Sequence, residues 1–188
     1  FLAQFGIVVG GYVSSIGEAQ TDFGDLPYAE RFIRAEESDV RCPVESAANQ
    51  MRDEIEKTIH GKNTLGGVIE IIALNVPVGL WSFVQWDRRL EAKLTHAVMS
   101  VQAIKGVEIV DAFENAKLPG TQAHDAMQLV TRNSVTRTSN RAGGIEGGIS
   151  NGQPIVIRAA MKPIATTLTP QQTIDLASGE NAPTKYER

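Results

Sequence analysis

The stretch Asn140–Pro154, NRAGGIEGGISNGQP, constrains this chain more than any other, because five glycines fall within ten residues. Glycine admits positive φ and lets backbone N–H groups approach an anion or a flat ring. Such a density calls for a set of tight turns packed on a core, or for a backbone surface that meets a ligand. Two familiar nucleotide loops are excluded, since no Gly-Lys-Ser/Thr follows and Gly-x-Gly-x-x-Gly is absent. Taken alone, a run of this kind serves tight packing more often than binding.

Charge sharpens the question. The net charge of -4 argues against a nucleic-acid partner. Residues 1–125 hold 11 Lys/Arg against 18 Asp/Glu, whereas residues 126–188 hold 7 against 4. The basic end is therefore also the glycine-rich end, which suits a small anionic ligand such as a phosphate. No apolar run is long enough to span a membrane. The single cysteine, Cys42, allows no internal disulfide and points to a reducing compartment, the cytoplasm. The length suits one domain.

Periodicity supplies the elements. Residues 5–16 and 66–76 read as strands rich in Val and Ile, with Gly10 and Gly11 marking a bulge or a close contact. Ala48, Met51, Ile55 and Ile59 fall at helical spacing between Pro43 and Gly61, which predicts a helix over 45–60. One helical turn is expected around 29–34, within an otherwise irregular connection over 18–43. Asp87 is placed to cap a second helix carrying Leu90, Leu94, Val98 and Val101. Strands are expected from Gly106 through Val107, Ile109 and Phe113, over 127–138, and over 154–161. Residues 168–188 read as a loose tail. Irregular alternation with hairpin-like connections predicts an α+β sandwich of helices packed on antiparallel sheet.

The longer string NRAGGIEGGISNGQPIVIRAAMKPIAT resembles, almost residue for residue, the glycine-rich segment and following strand of chorismate synthases. VQWDRRLEAKL and MSVQAIKGVEI resemble the same family in the same order and spacing, as do LGGVIEIIALNVPVGL and LPGTQAHD. The resemblance runs nearly from end to end. It implies a β-α-β sandwich with helices between antiparallel sheets, and a chain that is the central segment of a single domain. Family members are nearly twice as long and carry Gly-x-Ser-His-Gly and Ser-Ala/Gly-Arg-Glu-Thr motifs that are absent here. The chain starts at Phe1 and ends in KYER, where relatives continue with Arg-Ser-Asp, so it reads as an internal piece.

The resemblance further implies a lyase that converts 5-enolpyruvylshikimate 3-phosphate to chorismate by 1,4-anti elimination of phosphate, the last step of the shikimate pathway. Reduced FMN is the implied cofactor, NADP an associated nucleotide, and a homotetramer the implied assembly. Carried over by position, the flavin contacts are Gln102, Ala103, Gly147, Lys162, Pro163, Ile164, Ala165, Thr166 and Arg188. A cation and a hydroxyl suit phosphate or ring oxygens, and Gly and Ala admit a flat ring. The catalytic histidines of the family belong to the absent motifs; His60, His96 and His124 do not replace them, and no metal site is expected. The isolated chain is therefore expected to be inactive, and a non-catalytic flavin-binding or oligomerising piece is the alternative. Two departures stand out. Asn63-Thr64 replaces the family's Gly-Asp and Ser, and Val110 and Ala112 replace glycines, which is expected to narrow the space at Gln102–Ala103.

Overall fold

The computed structural model describes residues 1–132 and 134–185, Ser134 through its backbone alone. In chain order the elements are β1 (Val8–Ile16), β2 (Ala19–Gln20), α1 (Tyr28–Glu37), α2 (Glu45–His60), β3 (Gly67–Leu74), α3 (Leu90–Met99), β4 (Ile104–Ile109) and the short turns α4 (Ala112–Asn115) and α5 (Gly120–Ala123). Then follow β5 (Met127–Thr131), β6 (Ser134–Arg137), β7 (Ile145–Glu146), β8 (Ile149–Ser150), β9 (Ile155–Met161), β10 (Gln172–Asp175) and β11 (Glu180–Pro183). Five strands build one antiparallel sheet in the order β2-β1-β3-β9-β4, and the other six pair as three separate hairpins. The class is α+β, as the sequence predicts.

Strand periodicity divides the side chains between two faces. On one face Tyr12, Ile72 and Val156 are buried with Ala35 of α1. On the other, Ile155, Ile157 and Ile71 meet Leu90, Leu94 and Val98 of α3 together with Ile145 of the glycine-rich segment. α2 buries Ala47, Ala48 and Met51 against Ala19, Cys42, Val13 and Ile16. Met51 is fully enclosed, a burial that contributes about 1.5–3 kcal/mol. A polar row crosses the first face: the Tyr12 hydroxyl donates to Glu70 (2.6 Å), and Arg158 donates to Glu108 (2.6 Å). Arg31 closes this row by donating to the Tyr12 oxygen (2.9 Å) while stacking over Phe23 and Tyr28.

Several expectations are corrected. Of the two readings of Gly10 and Gly11 the bulge is corrected, since the register shift in β1 falls between Val13 and Ser15, while the close contact is present: Gly10 receives the ring of Phe32. The turn expected over 29–34 is a ten-residue helix, held to the sheet by Tyr28, Phe32 and Ala35 at positions that charged neighbours disguise. Asp87 lies in a separate single turn, Trp86–Arg88, and the first N–H of α3, from Leu90, is satisfied by the Gly148 carbonyl (2.8 Å). Phe113 belongs to α4, not to a strand. Residues 127–138 fold back as the β5–β6 hairpin, and the expected tail contains the β10–β11 hairpin.

The surface is larger than a compact chain would have. The accessible area is 12709 Å² for 20.3 kDa, against roughly 8,800 Å² from the size scaling of folded monomers. Trp81, Phe83, Val84 and Trp86 are exposed on the β3–α3 connection, and Met127, Leu129, Val130 and Val135 on the β5–β6 hairpin. No helix among the described residues is long and apolar enough to cross a membrane.

Candidate functional site

Residues 59 positions apart in sequence are joined where β4 begins and β9 ends. Ile104 pairs with Met161, and the Lys162 N–H donates to the Ala103 carbonyl (2.9 Å). That bond requires the chain to turn sharply between α3 and β4. Ala103 makes the turn at φ +69°, a left-handed conformation that costs an alanine about 1–2 kcal/mol. Ala103 thereby lies beside Lys162, while Pro163, Ile164, Ala165 and Thr166 continue as an exposed loop towards the Gly61–Gly66 connection. Lys162 has no ion-pair partner among the described residues. Arg188 lies outside the described residues.

Gly147 stands apart from this group. It occupies the β7–β8 turn at φ +62°, exposed, and a Cβ built there meets nothing within 4 Å. Its neighbour Gly148 holds the N-terminus of α3, whereas Gln102 and Ala103 follow the C-terminus. Ten helical residues rise about 15 Å, so α3 separates the two groups by roughly its own length. The open backbone at Gly147 and the exposed cation, amide and hydroxyl at the other end are the groups a flavin nucleotide requires, a flat face and anion-binding donors. The residues present fit FMN in that sense.

The glycine-rich segment is held rigidly. Asn140 donates to the Pro154 carbonyl (2.8 Å) and accepts from the Gly144 N–H (2.9 Å). Ser150 accepts from the Leu80 N–H (2.9 Å) and donates to the Pro77 carbonyl (2.6 Å). Asp125 organises its start, accepting from Ser139 and from the N–H groups of Arg141 (2.7 Å) and Ala142 (2.9 Å). Partial burial pushes the Asp125 carboxyl up. The bonds from Ser139, Ala142 and Arg141, with the Arg137 charge, outweigh that and hold it below the usual carboxylate range. Asp125 is not among the residues the sequence singles out; its place in LPGTQAHD, ahead of the glycines, is the available signal.

The glycine replacements fall elsewhere than expected. Val110 follows the end of β4, whereas Ala103 precedes its start, so neither Val110 nor Ala112 narrows the space at Gln102–Ala103. Val110 has φ +50°, a conformation in which a β-branched residue is strained, and it packs at Gly143. Among the described residues no group of three or more His, Cys, Asp or Glu is arranged to hold a metal ion.

A family model described as chorismate synthase matches residues 1–188. A chorismate synthase of Sulfurihydrogenibium sp. (strain YO3AOP1) is 48% identical over 170 residues, covering 89% of this chain and 44% of that protein. One from Syntrophotalea carbinolica is 45% identical over 188 residues, covering 100% of this chain and 48% of its own length. A solved structure described as a crystal structure of chorismate synthase superimposes with a TM-score of 0.82 at 43% identity, over 88% of this chain and 52% of that one. The chain thus spans about half the length of the curated relatives it matches. With the fold shared at that TM-score and the family model matched over every residue, this chain belongs to the chorismate synthase family.

Proposed function

We propose that this chain is one segment of a single chorismate synthase domain and forms the flavin-facing part of its active site. The protein that carries it would convert 5-enolpyruvylshikimate 3-phosphate to chorismate and phosphate. The observation that carries this reading is the Lys162–Ala103 bond, which joins the turn between α3 and β4 to the start of the exposed loop after β9. Reduced FMN, when bound, supplies the electron-rich partner that makes departure of phosphate feasible without net oxidation. Lys162 would pair with an anionic oxygen of the cofactor, and the Gln102 amide and Thr166 hydroxyl would bond its polar edges. Gly147 would supply the open backbone that the ring needs, at the far end of α3.

The excess surface and the exposed aromatic residues of 81–86 support burial against further protein, the rest of the domain or other copies of it, a homotetramer being the assembly proposed. The lone, buried Cys42 suits a reducing cytoplasmic setting. The test is twofold: quenching of FMN fluorescence by the full-length protein, and anaerobic turnover of 5-enolpyruvylshikimate 3-phosphate with reduced FMN. Flavin binding without turnover would leave a non-catalytic flavoprotein, and absence of both would refute the reading.

A further inference from the structure

Resting on the flavin reading just given, we infer that Thr64 is a positioning residue for the cofactor loop, acting through its hydroxyl on the backbone of Ile164. The loop 162–169 leaves β9, which lies between β3 and β4, and it is held from both sides. On the β4 side Ala103 fixes Lys162. On the β3 side the connection Gly61–Gly66 runs alongside, and the Thr64 hydroxyl donates to the Ile164 carbonyl at 2.6 Å. A second tie lies further on, where the Thr169 N–H donates to the Lys62 carbonyl (3.1 Å) and the Thr169 hydroxyl lies 3.2 Å from the same oxygen. Within the loop Thr167 donates to the Thr169 carbonyl (2.7 Å), so the second tie reaches back towards Thr166.

The two strands of chain approach closely enough to exclude a side chain between them. A Cβ on Gly66 would sit 2.4 Å from the Met161 carbonyl oxygen and 3.0 Å from Cδ of Pro163. Gly66 therefore sets how near the connection lies, and Thr64 uses that nearness to orient the Ile164 peptide. Orienting this peptide fixes the direction of the Ala165 and Thr166 groups that follow it. Without the bond the exposed loop would sample several conformations, and binding a ligand would carry the cost of ordering it.

The experiment uses the full-length protein with Thr64→Val, which removes the hydroxyl at nearly constant shape, and Thr64→Ser, which keeps it. Two quantities are read: the Kd for FMN by fluorescence quenching, and amide hydrogen exchange over residues 162–170 without flavin. Thr64→Val is expected to speed exchange in that peptide and to weaken FMN by about two- to tenfold, the range of one neutral hydrogen bond. Thr64→Ser is expected to restore both to near wild type. Combined with Lys162→Ala, the Thr64→Val effect on Kd should shrink, because the two act through one loop. Full additivity, or wild-type exchange and affinity in Thr64→Val, would overturn the inference. If wild type itself fails to bind FMN, the flavin reading fails instead. The exchange difference between Val and Ser then decides by itself whether the hydroxyl positions the loop.

Discussion

Replacing Gly147 and Gly144 by alanine separates binding from packing, because both have positive φ but only one is crowded. At Gly147, φ is +62° and a Cβ meets nothing within 4 Å. Left-handed alanine costs about 1–2 kcal/mol, and about 0.4–1 kcal/mol of that is offset by the lower entropy of the unfolded chain. The net loss is about 0–1.6 kcal/mol. At Gly144, φ is +82° and the added carbon would stand 2.5 Å from the Pro154 carbonyl oxygen and 2.8 Å from Cα of Ile155. Both are backbone atoms at the start of β9, so nothing cheap can yield, and the loss should exceed about 3 kcal/mol. Chemical denaturation of the full-length protein measures both. FMN titration then asks a different question of Gly147→Ala: if the ring lies against that turn, affinity should fall steeply in a protein that is almost as stable as wild type. Unchanged affinity would remove Gly147 from the site. A Gly147→Ala loss as large as that of Gly144→Ala would refute the claim that its Cβ direction is open.

Lys162→Ala should raise the Kd for FMN about ten- to a hundredfold, the range of a charge-assisted contact of about 1.5–3 kcal/mol, as read by fluorescence titration. Asp125 has a folded pKa below its unfolded value, so its stabilisation is present above about pH 4 and is lost as pH falls through the depressed value. Asp125→Asn should lower stability at neutral pH by about 1–3 kcal/mol, because an amide offers one acceptor oxygen where the carboxylate offers two, and should flatten the acid limb of a stability-against-pH curve. The 188-residue chain alone should give no chorismate in an anaerobic assay with reduced FMN, because the acid–base groups expected of the family lie in other segments; turnover at the full-length rate would show that they lie here.

Elements whose burial follows one period were legible in the sequence. α2 shows Ala48 and Met51 at helical spacing, with Pro43 before it and Gly61 after, and β3 and β9 announce themselves by Val and Ile. α1 is longer than the single turn its sequence predicts, because Arg31, Arg34 and Glu30 interrupt its face. Arg31 belongs to that face, since its charge is taken up by Tyr12 and aromatic rings. The β10–β11 hairpin is mostly exposed on both sides, so no alternation marks it. In the site, the strings around Gln102 and Lys162 were visible singly, but their juxtaposition depends on the order of strands in the sheet. Thr64 was visible only as a departure from the family pattern. Its partner lies 100 residues away, and no local pattern carries such a contact.

The placement of α3 explains why small changes around this site should be felt at both ends. Its first N–H is held by Gly148, beside Gly147, and after it ends at Met99 the chain turns through Gln102 into the left-handed Ala103. Between them Leu90, Leu94 and Val98 lock the helix onto Ile155 and Ile157 of β9, the same strand that ends at Lys162. Helix and strand are thus two rigid members packed in one core along their length, with the Ala103–Lys162 bond tying them at one end. A packed core is too stiff to let one member slide on the other. The distance between the Gly147 turn and the Lys162 loop is consequently set by helix length and core packing, with the loops contributing orientation alone. A ligand that touched both ends would be measured against α3, and one that touched a single end would leave the other group of residues to a different contact.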